Sequence, residues 1–209
     1  MKQLKLITLF LALSVAAHAQ SVRDVFSNSS MIWYGIDVSK AKFIGPLEAW
    51  GSPVKLKDTY FGAWNSVVVN ESDKYNLRKF FRKDQITIDL KKVKELNDKV
   101  STDSLIVTYT EVPPISEFAL VNHVAKYIDP SKKGVGLVFV VEYFSKIKES
   151  GLMHVVFFDP SNGNIHMIKT MEGKAGGMGL RNFWAKSIFN VMDQCDRSWN
   201  KWKKEAGVK

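Results

Sequence analysis

The sequence of 209 residues predicts a single α/β (α+β) domain, in which about three helices cover a mixed sheet that ends in a three-strand antiparallel meander. Three observations lead to this prediction. Apolar residues alternate or run continuously in several short segments, which is typical of strands. A long segment near the C-terminus instead repeats large apolar residues at helical spacing. Hydrophobic residues make up 45% of the chain and no Pro/Gly/Ser-rich linker divides it, so one core suffices.

The N-terminus has the pattern of a secretory signal peptide. Two lysines precede a short apolar run, and the small residues Ala17 and Ala19 flank His18 as a cleavage site. We therefore expect residues 1–19 to be removed and residues 20–209 to form the domain. The apolar run is too short to cross a bilayer as a helix, and no cysteine lies near the cleavage site. We expect an exported protein, periplasmic or secreted, that has no transmembrane segment and is not a lipoprotein.

The first strand is predicted within residues 31–45, where the apolar positions have period two. The alternation places Ile32, Tyr34, Ile36 and Val38 on one face and Trp33, Gly35, Asp37 and Ser39 on the other. After a loop rich in Gly and Pro, residues 62–82 have a helical pattern with a break near Asn70 to Asp73. Ser72 or Asp73 is expected to cap the second half of this segment.

Strands and helices alternate in the middle of the chain. Residues 85–89 and 104–110 have the composition of strands, and residues 90–98 that of a short helix. Ser116 is a candidate N-cap for the next helix. The inward positions of that helix are expected to be Phe118, Val121, Ala125 and Ile128, with Asn122, His123 and Lys126 on or near the opposite face.

Three successive strands form the predicted meander, over residues 134–144, 152–159 and 164–171. The last two are joined through Asn162-Gly163, a pair that favours a tight hairpin turn. Their near-continuous apolar runs predict a sheet that is covered on at least part of both faces.

The final helix is predicted from about Leu180 to Lys204. Its apolar positions follow one another at intervals of three and four: Trp184, Ile188, Val191, Cys195, Trp199 and Trp202. We expect this helix to dock on the sheet through that stripe.

A glycine-rich segment, GKAGGMGLRN at residues 173–182, joins the last strand to this helix. It lacks the Lys-Ser/Thr pair of a nucleotide P-loop and the third glycine of a dinucleotide fingerprint. We interpret it as a tight corner whose glycines adopt positive φ. The alternative is an anion site at the helix N-terminus. Its candidate ligand-binding residues are Lys174, Gly176, Gly177, Gly179, Arg181 and Asn182.

No catalytic or metal-binding set is identified in the sequence, and no cofactor is expected. An even-numbered hairpin loop would place His154 and His166 on opposite faces of the sheet, and His123 lies far from both in sequence. Ser39-x-x-Lys42 matches the Ser/Lys pattern of penicillin-binding enzymes, but similar pairs recur by chance in a lysine-rich chain. Ser39 is moreover predicted in a strand, whereas that chemistry needs a helix.

Paired carboxylates would indicate a glycoside hydrolase, because that reaction requires two acids flanking one bond. Four acids lie in or beside apolar strand segments: Asp37, Asp89, Glu142 and Asp159. The sequence brings no two of them together. Each is therefore expected at a strand end or on an exposed face.

The chain is basic, with a formal net charge of +9 at pH 7. The basic residues include two patches: Lys74, Arg78, Lys79, Arg82 and Lys83, and Arg197, Lys201, Lys203 and Lys204. For an exported protein this charge favours acidic partners such as anionic lipid, wall polymer or polysaccharide before nucleic acid. Simple solubility is the competing explanation.

Three segments resemble blocks of a family of exported bacterial proteins that has no assigned activity: WYGIDVSKAKFIG, GVGLVFVVEYFSK and VVFFDPSNGNIHMIKTMEGKAGGMGLRNFWAKSI. The resemblance spans most of the mature chain and implies no catalytic residues. The order of strand, tight turn, strand, glycine corner and long helix is similar to envelope accessory domains such as the amino-terminal domain of the Tol translocation protein and the curli-export lipoprotein. That similarity implies an α/β domain that binds other proteins. The chain differs from the lipoprotein members in lacking a lipidation cysteine.

We therefore expect a non-catalytic binding or accessory protein of the bacterial cell envelope, whose partner is another envelope protein or an acidic polymer. The alternative is a hydrolase acting on cell-wall polymer or polysaccharide. The third hypothesis is an anion or polyanion binder at the glycine-rich corner.

Overall fold

The computed structural model describes residues 22–108 and 111–208, so the predicted signal peptide, residues 1–19, lies outside the described residues. The strands of the described part are β1 (Ser30–Asp37), β2 (Lys42–Ile44), β3 (Gln85–Ile88), β4 (Ile106–Val107), β5 (Gly136–Ser145), β6 (Ser150–Phe158) and β7 (Ile165–Lys174). Its α-helices are α1 (22–27), α2 (Leu47–Trp50), α3 (Pro53–Lys55), α4 (Gly62–Asn70), α5 (Leu77–Phe80), α6 (Lys91–Asp98), α7 (Glu117–Val124) and α8 (Leu180–Glu205). A π-helix, Leu56–Phe61, joins α3 to α4, and a 3-10 turn, Ala125–Tyr127, extends α7.

The body of the sheet is parallel. Strands β3, β1, β5, β2 and β4 follow one another through parallel pairings, while β6 pairs antiparallel with β5 and β7 antiparallel with β6. The predicted fold class, a mixed sheet characterised by a terminal three-strand meander under about three helices, is therefore wrong. Parallel strands with helical crossovers dominate the sheet, and several helices besides the C-terminal one pack on it. Local sequence patterns do not indicate the partners of the first strands, so the parallel pairing was not predicted.

Most of the predicted elements are confirmed near their expected positions. Residues 85–89 and 90–98 correspond to β3 and α6, and the helical pattern after the first loop is divided into α4 and α5. The expected caps Ser72 and Asp73 are wrong, because Asn76 caps α5 by accepting from the Lys79 amide at 3.0 Å. The expected cap Ser116 is confirmed, since its side chain accepts from the Ala119 amide at the start of α7 at 3.2 Å. The strand predicted at residues 104–110 is short, since β4 contains two residues and residues 109–110 are outside the described part.

A bulge in β1 changes which of its side chains share a face. The register against β5 shifts between Trp33 and Gly35, and Gly35 has a φ of +104°. Tyr34 and Asp37 consequently lie on one face, whereas Trp33 and Ile36 pack on the other. The predicted alternation is wrong beyond the bulge because one extra residue in a strand reverses every later side chain.

Two asparagines complete the edge of β1 beyond the end of β3. The Ile36 amide donates to Asn65 Oδ1 at 2.7 Å, and the Ile36 carbonyl accepts from Asn65 and Asn97 at 2.9 and 3.1 Å. The Val38 amide donates to Asn97 Oδ1 at 2.9 Å. These side chains supply the hydrogen bonds that a neighbouring strand would provide. They fix the strand end that carries Asp37.

Helix α8 covers one side of the sheet, called the α8 face below. Its predicted stripe is confirmed, since Trp184, Ile188, Val191, Cys195, Trp199 and Trp202 are all buried. Trp184 stacks on Trp50 with ring centroids 4.9 Å apart. Gly173 in β7 permits the close approach of α8, because a Cβ at that position would lie 2.1 Å from the Ser187 carbonyl oxygen.

Helix α7 covers the other side, called the α7 face below, and it is rotated relative to the prediction. The residues expected to face inward, Phe118, Val121, Ala125 and Ile128, are exposed. The buried positions of α7 and the following turn are Leu120, His123, Val124 and Tyr127. These residues also have helical spacing. They face inward because Asp37 on the strand beneath contacts His123 and Tyr127. The predicted stripe is wrong because it placed His123 outside.

Candidate functional site

The most polar cluster beneath α7 is centred on Asp37 at the end of β1. Its Oδ2 lies 2.6 Å from His123 Nε2 and accepts a hydrogen bond of 2.6 Å from the Tyr127 hydroxyl. Its Oδ1 accepts from the Ser39 amide at 2.8 Å. Asp37 is 0% exposed and His123 is 3% exposed. A carboxylate with three partners at this depth can hold a charge that would otherwise be costly to bury.

Electrostatics favour the ionised form of Asp37. Burial alone would raise the pKa of Asp37, but the hydrogen bond and charge of His123, with the hydrogen bonds of Ser39 and Tyr127, hold that pKa below its usual value. Burial, followed by the charge and hydrogen bond of Asp37, raises the pKa of Tyr127 well above its usual value. Tyr127 therefore donates to the carboxylate and does not compete with it for a negative charge.

The ionised carboxylate fixes how the His123 ring is used. Because Asp37 only accepts, Nε2 must carry a proton and donate it. The other ring nitrogen, Nδ1, is buried and has no hydrogen-bond partner among the described residues. Five other buried polar atoms also have no partner among the described residues: the indole nitrogens of Trp33, Trp50 and Trp184 and the hydroxyls of Tyr34 and Ser39. The unpartnered Nδ1 therefore does not by itself mark a ligand site.

His123 lies in the wall of a cleft of about 480 Å³, called the α7 cleft below. The other wall residues include Lys40, Pro114, Phe118, Asn122 and Lys126. Both lysines are exposed, and Phe118 is 76% exposed. The cleft thus combines cationic side chains, an amide, an accessible aromatic ring and the imidazole that Asp37 orients.

A second buried pair, Glu142 and His154, holds the chain segment that precedes α7. Glu142 Oε2 lies 2.8 Å from His154 Nε2 and accepts from the Ile115 amide at 2.9 Å. His154 Nδ1 lies 2.9 Å from Thr170 Oγ1, so both ring nitrogens of His154 have partners. Glu142 is positioned by a register shift of β5 against β6 between Val141 and Tyr143. The pair anchors one wall of the α7 cleft.

Two of the four acids considered in the sequence lie on the same face of the sheet. Asp37 pairs with Val140 in the register of β1 and β5, two residues before Glu142. From strand spacing and rise, the Cα atoms of the two acids are about 8 Å apart. Asp89 instead pairs with Lys132, and Asp159 accepts hydrogen bonds from the β6–β7 turn. The expected strand-end position is confirmed for Asp37, Asp89 and Asp159, which end or directly follow β1, β3 and β6, and is wrong for Glu142, which is buried inside β5.

The glycine-rich corner has a different environment. Gly176, Gly177, Arg181 and Asn182 line a shallow depression with Glu71, while Gly179 precedes α8 and Lys174 ends β7. Gly177 and Gly179 have φ of +101° and +77°. Arg181 forms an ion pair of 2.8 Å with Glu71, so a carboxylate of the chain already partners its guanidinium group. Anion binding at these six residues stays a prediction.

The other motifs considered in the sequence do not form sites. Residues of equal parity face each other in most of the β6–β7 pair, with His154 opposite Thr170, so the parity argument for separating His154 from His166 is wrong. Lys42 Nζ donates to the Ser104 carbonyl at 2.7 Å, and Ser39 and Lys42 do not lie on a helix. Among the described residues, no group of three or more His, Cys, Asp or Glu could hold a metal ion.

Sequence reasoning missed His123 as the centre of a site because it assigned that residue to the exposed face of α7. The usable signal was the spacing of Leu120, His123, Val124 and Tyr127, which marks a stripe as regular as the predicted one. A histidine and a tyrosine inside an apolar stripe imply a buried acceptor opposite them, since such groups need partners.

No family model, curated protein or solved structure matches this chain. In the part of the chain that the structure describes, none of the helices has both the length and the apolar character needed to span a membrane.

Proposed function

We propose that the protein is an exported binding or accessory protein of the cell envelope that holds an acidic partner in the α7 cleft. The observation that carries the proposal is the charge of the cleft wall, where the exposed Lys40 and Lys126 lie with Asn122 and the ring of His123. Asp37 fixes the orientation of that ring through its contact with Nε2.

The charge of the cleft wall favours a negatively charged ligand. Lys40 and Lys126 are exposed there, and no acidic residue of the described chain lies in the cleft wall with them. The first basic patch is less available than its sequence indicates, because Lys83 is buried and Arg82 forms an ion pair of 3.2 Å with Asp196. Lysines at a cleft attract acidic polymers at long range and hold them by ion pairing.

Calorimetric titration of the mature chain with polygalacturonate and with polyglutamate tests this function. At about 50 mM salt we expect at least one of these acidic polymers to bind, and the affinity to fall as salt is added. The double variant Lys40→Met/Lys126→Met should weaken binding by about 5- to 30-fold.

The matched control is Lys201→Met/Lys204→Met, which removes the same charge from the exposed surface of α8. It should leave the affinity nearly unchanged. If neither polymer binds, or if both double variants weaken binding equally, the α7 cleft is not the site of an acidic partner.

A hydrolase acting on wall polymer or polysaccharide is the second candidate, favoured by the placement of Asp37 and Glu142 on one face. Each carboxylate is buried and bound to a histidine. This environment favours a structural role, in which the carboxylate orients its histidine, over direct attack on a substrate. Release of new reducing ends from polygalacturonate by the wild type but not by His123→Gln would establish hydrolysis. Binding without release would leave the binding function as the proposal.

A further inference from the structure

We propose that a second cleft, called the α4–α6 cleft below, binds a small organic cation with an apolar body, such as an aromatic amine. The cleft has a volume of about 340 Å³ and lies between the π-helix with α4 on one side and α6 on the other. Small-molecule sites in proteins commonly have this size. The α4–α6 cleft shares no wall residue with the α7 cleft, so the site is independent of the acidic-partner function.

The α4–α6 cleft lies at the carboxyl end of β1, beyond the end of β3. Helix α4 packs on the α8 face through Trp64 and Val67, whereas α6 packs on the α7 face through Val93. Because the two helices lie on opposite faces, they leave a crevice between them at the edge of β1. In open α/β sheets, ligands bind in crevices outside the carboxyl ends of the parallel strands.

Two irregularities of the backbone lie at this cleft. At the bulge of β1, Gly35 approaches two residues of the cleft wall, since a Cβ there would lie 2.4 Å from Asn65 Oδ1 and 2.8 Å from Leu90 Cδ2. The π-helix, Leu56–Phe61, supplies part of the opposite wall. Bulges and π-helical turns are both frequent beside functional sites, so their meeting at one cleft supports a binding role.

The buried part of the cleft wall favours an apolar ligand body. Phe61 and Val93 are buried, and Leu90 is half-buried beside them. The side-chain amides of Asn65 and Asn97 lie in the same wall, but they already donate to backbone carbonyls. A ligand is therefore held at this depth mainly by removal of apolar surface from water.

One charged side chain of the cleft wall is available to a ligand. Lys57 Nζ donates to the Val100 carbonyl at 2.9 Å. Lys94 Nζ forms an ion pair of 3.1 Å with Asp98. The Asp58 carboxylate is exposed and has no hydrogen bond or ion pair with any described residue. Since the other charges have partners in the chain, the available charge is negative and favours a cationic head group.

Three ligands that share a phenyl ring and differ in the head group test the inference: phenethylamine, 2-phenylethanol and 3-phenylpropionate. Nitrogen-15 correlation spectra of the mature chain at neutral pH give their affinities, and the side-chain amide signals of Asn65 and Asn97 locate the site. We expect the amine to bind about 2- to 5-fold more tightly than the alcohol, because an exposed ion pair contributes modestly. The carboxylate should bind most weakly, and added salt should reduce the preference for the amine.

The role of the Asp58 charge is tested by Asp58→Asn. This variant should bind the amine and the alcohol equally, with the affinity for the alcohol unchanged. The matched control is Glu48→Gln, which removes an exposed carboxylate outside the cleft wall and should keep the preference for the amine.

The location of the site is tested by filling the cleft with Gly62→Leu. Gly62 lies in the cleft wall, and apart from its chain neighbours and its own helix, no atom of the described residues lies within 4 Å of an added Cβ. Its φ of −68° is helical, so leucine fits the backbone there. The variant should keep its circular dichroism spectrum and weaken the amine and the alcohol by about 5-fold or more.

The outcomes separate this site from the α7 cleft. Equal affinity for all three ligands, or tightest binding of 3-phenylpropionate, would overturn the assignment of a cation. If none of them binds, or if folded Gly62→Leu binds them like the wild type, the α4–α6 cleft is not the ligand site. Lys40→Met/Lys126→Met should bind the amine like the wild type, because both lysines lie in the α7 cleft. A loss of amine binding in that variant would contradict two independent sites.

Discussion

Helices α7 and α8 lie on opposite faces of the same sheet and are held there by different interactions. The α8 face is apolar and aromatic, with Trp184 packed between Trp50 and Phe144 at centroid distances of 4.9 Å to each. On the α7 face, the sheet also presents the carboxylates of Asp37 and Glu142 to the helix and its preceding segment. Apolar contact tolerates small shifts, whereas hydrogen bonds to a fixed carboxylate set the rotation of a helix.

Among these substitutions, the removal of Asp37 from the α7 face should cause the largest loss of stability. Asp37→Ala leaves His123 and Tyr127 buried without their acceptor, so we expect a loss of about 3–5 kcal/mol in the free energy of unfolding at pH 7. Urea denaturation measures it. The control Asp98→Ala breaks an exposed pair with Lys94 and should cost less than about 1 kcal/mol.

The Asp37→Ala variant also tests how the free energy of unfolding depends on pH. The pKa of Asp37 is lowered by folding, so its contribution is present above the pKa of the unfolded chain, about 3.9, and is lost as the pH falls through the folded value. The difference between wild type and Asp37→Ala should therefore shrink below about pH 4. A difference that stays constant down to about pH 2 would contradict an ionised, hydrogen-bonded Asp37.

The rotation of α7 is tested by two substitutions two positions apart. Leu120 is 2% exposed and Phe118 is 76% exposed. Leu120→Ala should cost about 2–5 kcal/mol because it leaves a cavity, and Phe118→Ala should stay within about 0.5 kcal/mol of the wild type. Thermal or urea unfolding gives both values. The reverse order would restore the stripe that the sequence analysis predicted.

The packing of α8 against β7 is tested at its closest point. Gly173→Ala would place a Cβ 2.1 Å from the Ser187 carbonyl oxygen, so the helix must move and the cost should be about 1–3 kcal/mol. At Gly176 the nearest atom to an added Cβ is 3.9 Å away. Gly176→Ala should therefore be neutral or slightly stabilising. Equal stability of the two variants would contradict the close contact of α8 with β7.

The smallest effect concerns the buried lysine of the α8 face. Lys83 Nζ donates to the carbonyls of Val25 and Asn28, and burial lowers the pKa of Lys83 to about 8. Since the unfolded chain binds this proton more strongly, stability from Lys83 rises with pH between about 8 and its usual value of 10.5.

The comparison with Lys83→Met isolates this term from the other titrating groups. The free energy of unfolding of the wild type, minus that of Lys83→Met, should be larger at pH 10 than at pH 7. An advantage that decreases over this range would mean that the ammonium is the favoured form in the folded chain.

The two faces also differ in how much of them the sequence predicts. The stripe of α8 follows from spacing alone, because large apolar residues at intervals of three and four have one plausible inward face. Helix α7 has two candidate stripes, and the choice depends on Asp37, which lies distant in sequence. Its position depends in turn on the bulge at Gly35, which a period-two pattern does not indicate.

Local sequence patterns also could not predict the parallel pairing of the central strands. Strands β1, β3 and β5 pair across long stretches of chain, and the edge of β1 is completed by Asn65 and Asn97, which have no special pattern in the sequence. The α7 cleft was missed for the same reason, since its residues come from the turn after β1, the segment before α7, α7 itself and the turn that follows it. Only the fold brings them together.

The most direct test of the account is a nitrogen-15 correlation spectrum of the histidine side chains. For the neutral form of the His123 ring, we predict a proton on Nε2 and none on Nδ1, because Asp37 accepts from Nε2. His154 serves as the internal reference, because both of its ring nitrogens already have partners. A proton on Nδ1 with a bare Nε2 of His123 would contradict the central claim that Asp37 orients the His123 ring in the wall of the α7 cleft.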